Sequence, residues 1–186
     1  MIQNDELGNI LESHMKWINS EDDGIRADLS YIDLSHANLS NAYLRCVEGA
    51  TIINADLSCA NLIDTNLNGV IANKYTTSFY MQCPEKGSYI GYKKCRFSRI
   101  VELLIPEDAK RSSATSRKCR ASKAKVLSIT NIDGTANFEK AVSYYDCNFI
   151  YQVGEIVEVK DFDEDKWNEC SNGIHHFITR NEAVNY

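Results

Sequence analysis

The 186-residue chain is 44% hydrophobic and 25% charged, a globular balance that excludes a disordered or fibrous protein. Its formal charge of −6 disfavours a protein that grips nucleic acid without sequence preference. Its longest uncharged apolar runs, such as Leu103-Leu104-Ile105, are too short to span a bilayer.

The charge is unevenly spread. Residues 1–74 hold 4 Lys/Arg and 11 Asp/Glu, which gives −7; the rest of the chain holds 16 and 15, which gives +1. The start, Ile2-Gln3-Asn4-Asp5-Glu6 after Met1, lacks the basic and apolar regions of a signal peptide. The expectation is a soluble, cytoplasmic protein with no membrane contact. Seven cysteines, an odd number without dense spacing, then read as small buried hydrophobes in a reducing compartment.

The first predicted element is a helix over residues 5–20. Leu7, Ile10, Leu11, Met15 and Ile18 share one helical face, Trp17 lies beside it, and Asn4 or Asp5 could cap its start.

A five-residue period follows. Its units are Ala27-Asp28-Leu29-Ser30-Tyr31, Ile32-Asp33-Leu34-Ser35-His36, Ala37-Asn38-Leu39-Ser40-Asn41 and Ala42-Tyr43-Leu44. The period resumes at Ala50-Thr51-Ile52, Ala55-Asp56-Leu57, Ala60-Asn61-Leu62 and Thr65-Asn66-Leu67. A period of five fits neither a helix at 3.6 nor a strand at 2. It fits a square coil in which each unit makes one side, with Leu and Ala turned inward and Asp, Asn and Ser outward. Leu29 to Leu44 and Ile52 to Leu67 keep registers displaced by three residues, so 45–49 is predicted to contain a bulge or protruding loop. These units resemble the pentapeptide-repeat family, from about residue 26 to 70. That resemblance implies a right-handed quadrilateral β-helix of two coils. A solenoid needs its ends covered, which assigns residues 5–20 to a capping helix; a second copy of the chain could cover the far end as a homodimer.

From Lys74 the period is lost. Runs 89–93, 99–105, 125–129, 149–153, 155–159 and 174–178 read as strands. Residues 163–170 and 181–186 read as short helical turns, and Val153-Gly154-Glu155 as a turn between strands. The expected organisation is a capping helix at 1–24, a repeat β-helix at 25–73 and an α+β domain with a mostly antiparallel sheet at 74–186. The fold class is mainly β. The runs Gly91-Tyr92-Lys93, Ile105 to Lys110 and Glu169 to His175 are similar to a C-terminal domain of unknown function joined to pentapeptide repeats in bacterial and bacteriophage proteins. That resemblance implies a prokaryotic or viral setting, the host cytoplasm if phage-encoded, and supplies no activity.

The candidate site lies in the basic stretch Lys110-Arg111-Ser112-Ser113 through Thr115, Arg117, Lys118 and Arg120. Seven basic and two acidic side chains fall between Pro106 and Lys125. Arginine forks, lysines and hydroxyls suit phosphate oxygens, and Lys93 joins them if its strand lies alongside. The competing reading is a solvated basic loop packed against acidic surface of the same chain. No aromatic occurs between Ser98 and Phe138, which disfavours nucleic acid.

Cys83, Cys95, Cys119, Cys147, Cys170, His175 and His176 lack the close pairs of a zinc site. Cys170 with His175 or His176 is a weak thiol-enzyme pattern. The acidic cluster Asp161, Asp163, Glu164, Asp165 and Glu169 lacks the spacing of a calcium loop. The sequence therefore predicts a non-catalytic protein without metal or cofactor that binds an anionic, nucleotide-like small molecule. In a phage setting it would sequester a host signalling nucleotide. The alternative is a protein-interaction module or inhibitor. Some pentapeptide-repeat proteins imitate duplex DNA, but two coils rise only ~10 Å at the β spacing, against about 34 Å for one duplex turn. An enzyme of unrecognised type is the remaining class.

Overall fold

In the computed structural model, residues 2–186 are described. The protein is mainly β, with an N-terminal helix and antiparallel sheets. It divides into two compact units, one ending at Tyr80 and one spanning Met81–Tyr186.

Helix α1 spans Asn4–Ile18. Gln3 occupies the cap position and makes no side-chain capping bond, so neither Asn4 nor Asp5 is the cap. Asp5 and Glu6 instead lie in the first turn, where the helix dipole favours negative charge. Leu7 and His14 are the buried residues; Ile10, Leu11 and Ile18 are half-buried, and Met15 and Trp17 are exposed. His14 Nδ1 accepts a hydrogen bond from the Ala27 N–H at 3.2 Å, and the Ser13 carbonyl accepts one from the Ile25 N–H at 3.1 Å. A helical histidine thus fastens α1 to the first repeat.

Each repeat turns the chain once. The Leu34 carbonyl accepts from the Ala37 N–H and the Leu39 carbonyl from the Ala42 N–H, both at 3.1 Å. Within these four-residue turns His36 and Asn41 have φ of 63° and 59°. A positive φ at the third residue alone is the mark of a type II turn. The Asp or Asn of the unit has a structural task as well as an outward one. Asp28, Asp33, Asn38 and Asp56 each accept a hydrogen bond at 2.9–3.0 Å from the N–H two residues on, the side-chain mimic of a turn. Leu29, Leu34, Leu39, Leu44, Ile52, Leu57 and Leu62 are buried, together with Ala37, Ala42, Ala50, Ala55 and Ala60. Successive layers join through single parallel bridges, Asp33 to Thr51, Asn38 to Asp56, Tyr43 to Asn61, then Thr51 to Ile71 and Asp56 to Thr77.

The register break is a shortened side, not the expected bulge or protruding loop. Val47 is buried and follows Leu44 as the next inward residue, three positions on instead of five. The Leu29 N–H donates to the Cys46 carbonyl and the Tyr31 N–H to the Glu48 carbonyl, so 45–49 continues the stack. The same displacement of three arises from losing two residues from a side as from inserting three between sides. Gly49 lies under this step at φ 62°, and a Cβ there would come within 2.4 Å of the Tyr31 ring.

The second unit has three antiparallel sheets. Strands β1 (Tyr89–Cys95), β2 (Arg99–Ile105), β5 (Lys123–Asn131) and β8 (Ile156–Glu158) form the largest, in the order β1-β2-β5-β8. Strands β3 (Arg111–Ser113), β4 (Cys119–Ala121) and β9 (Ile174–His176) form the second; β6 (Lys140–Val142) and β7 (Ile150–Gln152) form the third. Helix α2 spans Arg180–Asn185 and opens with a capping box made by Thr179 and Glu182. Val101, Leu103, Ile105, Val126, Ile129, Tyr151 and Ile174 build the core. Gly91 interrupts β1 because His176 packs there: a Cβ would lie 2.5 Å from the ring. Residues 163–170 form turns rather than the expected short helix, held by Asp163 and Asp165 accepting from N–H groups two residues on.

Candidate functional site

The basic stretch is a strand–turn–strand element, β3 and β4, rather than a solvated loop. Ser112, Ser113, Thr115 and Arg120 are buried within it. The Ser113 hydroxyl accepts from the Gln82 N–H at 2.7 Å.

Its arginines are directed to three separate places. Arg111 donates to the carbonyls of Ala109, Pro84, Gly87, Pro106 and Glu107 at 2.8–3.3 Å and stacks over Tyr89. Arg120 donates to the carbonyls of Asp163, Asn172 and Asp165 at 2.7–2.9 Å. Arg117 pairs with Glu182 at 2.7 Å, and Lys110 pairs with Glu164. The Ser116 side chain and N–H both donate to Glu169. The acidic segment 161–169 therefore faces the basic hairpin, which is fastened to it by the Arg120 carbonyl clamp, the Lys110–Glu164 ion pair and the Ser116–Glu169 hydrogen bonds.

Two of the sequence-predicted residues meet elsewhere. Lys93 on β1 and Lys118, just before β4, line a pocket of about 370 Å³ together with Lys94. His175 on β9, Phe177 just after it, and the three tyrosines Tyr144, Tyr145 and Tyr186 complete most of its wall. None of the described residues lining it is an aspartate or glutamate. Lys93 donates to the His175 carbonyl at 3.1 Å, Lys94 to the Val184 carbonyl at 2.9 Å, and Lys118 lies 3.8 Å from the Cys170 sulfur. An ammonium has three donors, so each lysine keeps N–H groups for a ligand. None of the three forms an ion pair among the described residues, whereas Lys110, Arg117 and Lys123 all do.

The electrostatics follow from this placement. Burial, then the charges of Lys93, Lys118 and Arg120, pushes His175 down to about 4, so its ring is neutral at pH 7. Burial likewise lowers Lys93 below the usual ammonium range, with the neighbouring Lys118 adding to the shift. Cys95, also in the wall, is pushed up to about 11 by burial and stays a thiol. All seven cysteines are free.

Lys94, Tyr144, Tyr145, His175, Phe177 and Tyr186 were not singled out as ligand-binding by sequence. They come from three separated stretches of chain, and only the adjacent pair Tyr144-Tyr145 in a polar loop carries a local signal.

Residues 79–183 match a family described as "Family of unknown function (DUF5758)". The chain belongs to that family. Residues 25–48 match the pentapeptide repeats. Comparison with curated proteins and with solved structures gives no match to either. The DUF5758 span contains every residue of the pocket wall except Tyr186. Among the described residues, no helix is long and apolar enough to cross a membrane.

The buried histidines give the DUF5758 unit a defined acid response. His176 is fully buried, its Nδ1 faces the Ile174 carbonyl at 2.9 Å, and burial holds it down to about 4. An unfolded chain takes up this proton near 6.5, whereas the folded chain resists until about 4. Stability is therefore complete above pH 6.5 and falls as the pH drops toward 4. At about 1.4 kcal/mol per tenfold change in proton affinity, His176 accounts for about 3 kcal/mol by pH 4. His175 acts in the same direction. Urea unfolding midpoints measured from pH 7 to 4.5 should fall steadily, and a flat profile over that window would show that these rings are not excluded from charging.

Proposed function

We propose that this is a non-catalytic binding protein whose DUF5758 unit holds an anionic small molecule between Lys93, Lys94 and Lys118. The observation that carries this reading is a pocket whose lining includes three lysines and, among the described residues, no aspartate or glutamate. Of the residues read from sequence, Lys93 and Lys118 face the ligand; Lys110, Arg111, Ser112, Ser113, Thr115, Arg117 and Arg120 build and brace the hairpin.

The repeats of the first unit make two coils of a right-handed quadrilateral β-helix, with α1 as the cap of the first. Support comes from the parallel bridges, the inward leucines and the turns that recur every five residues on either side of the 45–49 break. The resemblance to bacterial and bacteriophage proteins supports a prokaryotic cytoplasm as the setting, where the protein would withdraw its ligand from solution. A protein partner is the second reading, favoured by Tyr31, Ile71 and Tyr75, which are 74%, 54% and 65% exposed on the repeat unit.

Thermal unfolding with inorganic pyrophosphate as the probe tests the first reading. At 100 times its dissociation constant a ligand stabilises by about 2.7 kcal/mol, a shift of several degrees. The shift should vanish in Lys118→Glu, and bound anion should raise the His175 titration above 4 in a proton NMR experiment. An unchanged midpoint at millimolar pyrophosphate, with an unmoved His175, would overturn the anion site.

A further inference from the structure

We infer that the occupant of this pocket is a single nucleoside phosphate, with its phosphates over the lysines and its base stacked on the tyrosine rim. The inference rests on the anion-binding reading and adds what the anion is attached to.

The rim explains the choice. Tyr144, Tyr145 and Tyr186 are 59%, 78% and 60% exposed, yet all three border one cavity. Tyr144 and Tyr145 stand 5.8 Å apart between ring centroids, Phe177 and Tyr186 5.1 Å. Tyr186 raises the Tyr145 phenol above its usual range, and both aromatic pairs border the one cavity. An aromatic cluster left in solvent keeps apolar area that a planar ring would cover. Protein-interior aromatics would do so by burial, and these do not.

Distance ties the rings to the charge. The Lys118 ammonium lies 5.9 Å from the Tyr186 ring centroid, so an oxyanion held there is already beside the stacking surface. His175, which lines the pocket, has an Nε2 that is buried without a hydrogen-bond partner among the described residues. A cavity of about 370 Å³ falls at the small end of ligand pockets, which fits one nucleotide and not a strand. The aromatic groups also sit at one mouth rather than along a basic track, unlike surfaces that bind single strands.

Isothermal calorimetry on the full chain separates the parts. The probes are AMP, ATP, GMP and GTP, with pyrophosphate, ribose 5-phosphate and adenosine as controls. A nucleotide should bind roughly five- to hundredfold more tightly than the control of matching charge, the range that stacking one base supplies. Adenosine should bind far more weakly than ATP. Tyr145→Ala and Tyr186→Ala should bring nucleotide affinity down to that of pyrophosphate, and Tyr145→Phe should keep most of it. If pyrophosphate binds and no nucleotide binds more tightly, the stacking inference falls while the anion site stands. If no probe binds, both fall.

Discussion

Arg120→Ala is expected to cost the second unit about 4 kcal/mol and to lower its unfolding midpoint by on the order of 15 °C. Arg120 is 1% exposed, and its guanidinium holds three carbonyls from two stretches of the 163–172 segment. Removing it leaves these acceptors short of donors, at about 1–3 kcal/mol for each that stays buried. It also opens a cavity beside Phe162, over whose ring the guanidinium lies at 5.3 Å, and beside Gly173. The terms overlap, because the segment can relax toward water once released. Arg120→Lys should lie between the two, since an ammonium cannot reproduce the planar fork. Circular dichroism melting checks this, and a fall of only two or three degrees would mean that the 163–172 segment stands without its clamp. A ligand assay on Arg120→Ala would consequently read unfolding, so Lys118 is the informative position.

Leu39→Ala is expected to cost the repeat unit about 3–4 kcal/mol. Leu39 is fully buried, and its N–H donates to the Asp56 carbonyl in the next layer at 2.8 Å. Leucine-to-alanine changes in cores cost 2–5 kcal/mol according to how far the site collapses. Collapse is hindered here because backbone hydrogen bonds to the stacked layer fix the spacing of the walls. Trp17 lies in this unit and Trp167 in the other. Urea titration followed by Trp17 fluorescence in a Trp167→Phe background should therefore show the loss. A change below about 1 kcal/mol would indicate a loosely packed interior.

The repeat was legible because one constraint, an inward leucine beside an inward alanine, recurs at a fixed interval. The break at 45–49 was visible but its sense was not: register arithmetic does not distinguish a shortened side from an inserted loop. His14 was missed because histidine counts as polar in a pattern of apolar positions, although its ring is buried and bonded to Ala27. The hairpin was misjudged for the opposite reason. Ser112, Ser113 and Arg120 look solvated by composition, yet carbonyls brought in from distant segments let the arginine be buried. The candidate pocket draws Lys93, Tyr145 and Tyr186 together from points far apart in the chain, and no local spacing records that meeting.

The corners of the repeat carry a consequence for what the first unit tolerates. Tyr31, His36, Asn41, Asn54, Cys59 and Asp64 all share φ between 55° and 63°, though their chemistry has nothing in common. Such a backbone state costs an ordinary residue on the order of 1 kcal/mol, so these sites select for a shape that glycine, asparagine or a strained tyrosine can each supply. The inward leucines hold the stack while the corners remain open to change. Layers also align them: His36 reaches Asn54 at 3.4 Å, and Asn54 reaches Asn73 at 3.0 Å. Mutation can thus rewrite the outer columns of side chains one layer at a time, leaving the support beneath them as it was.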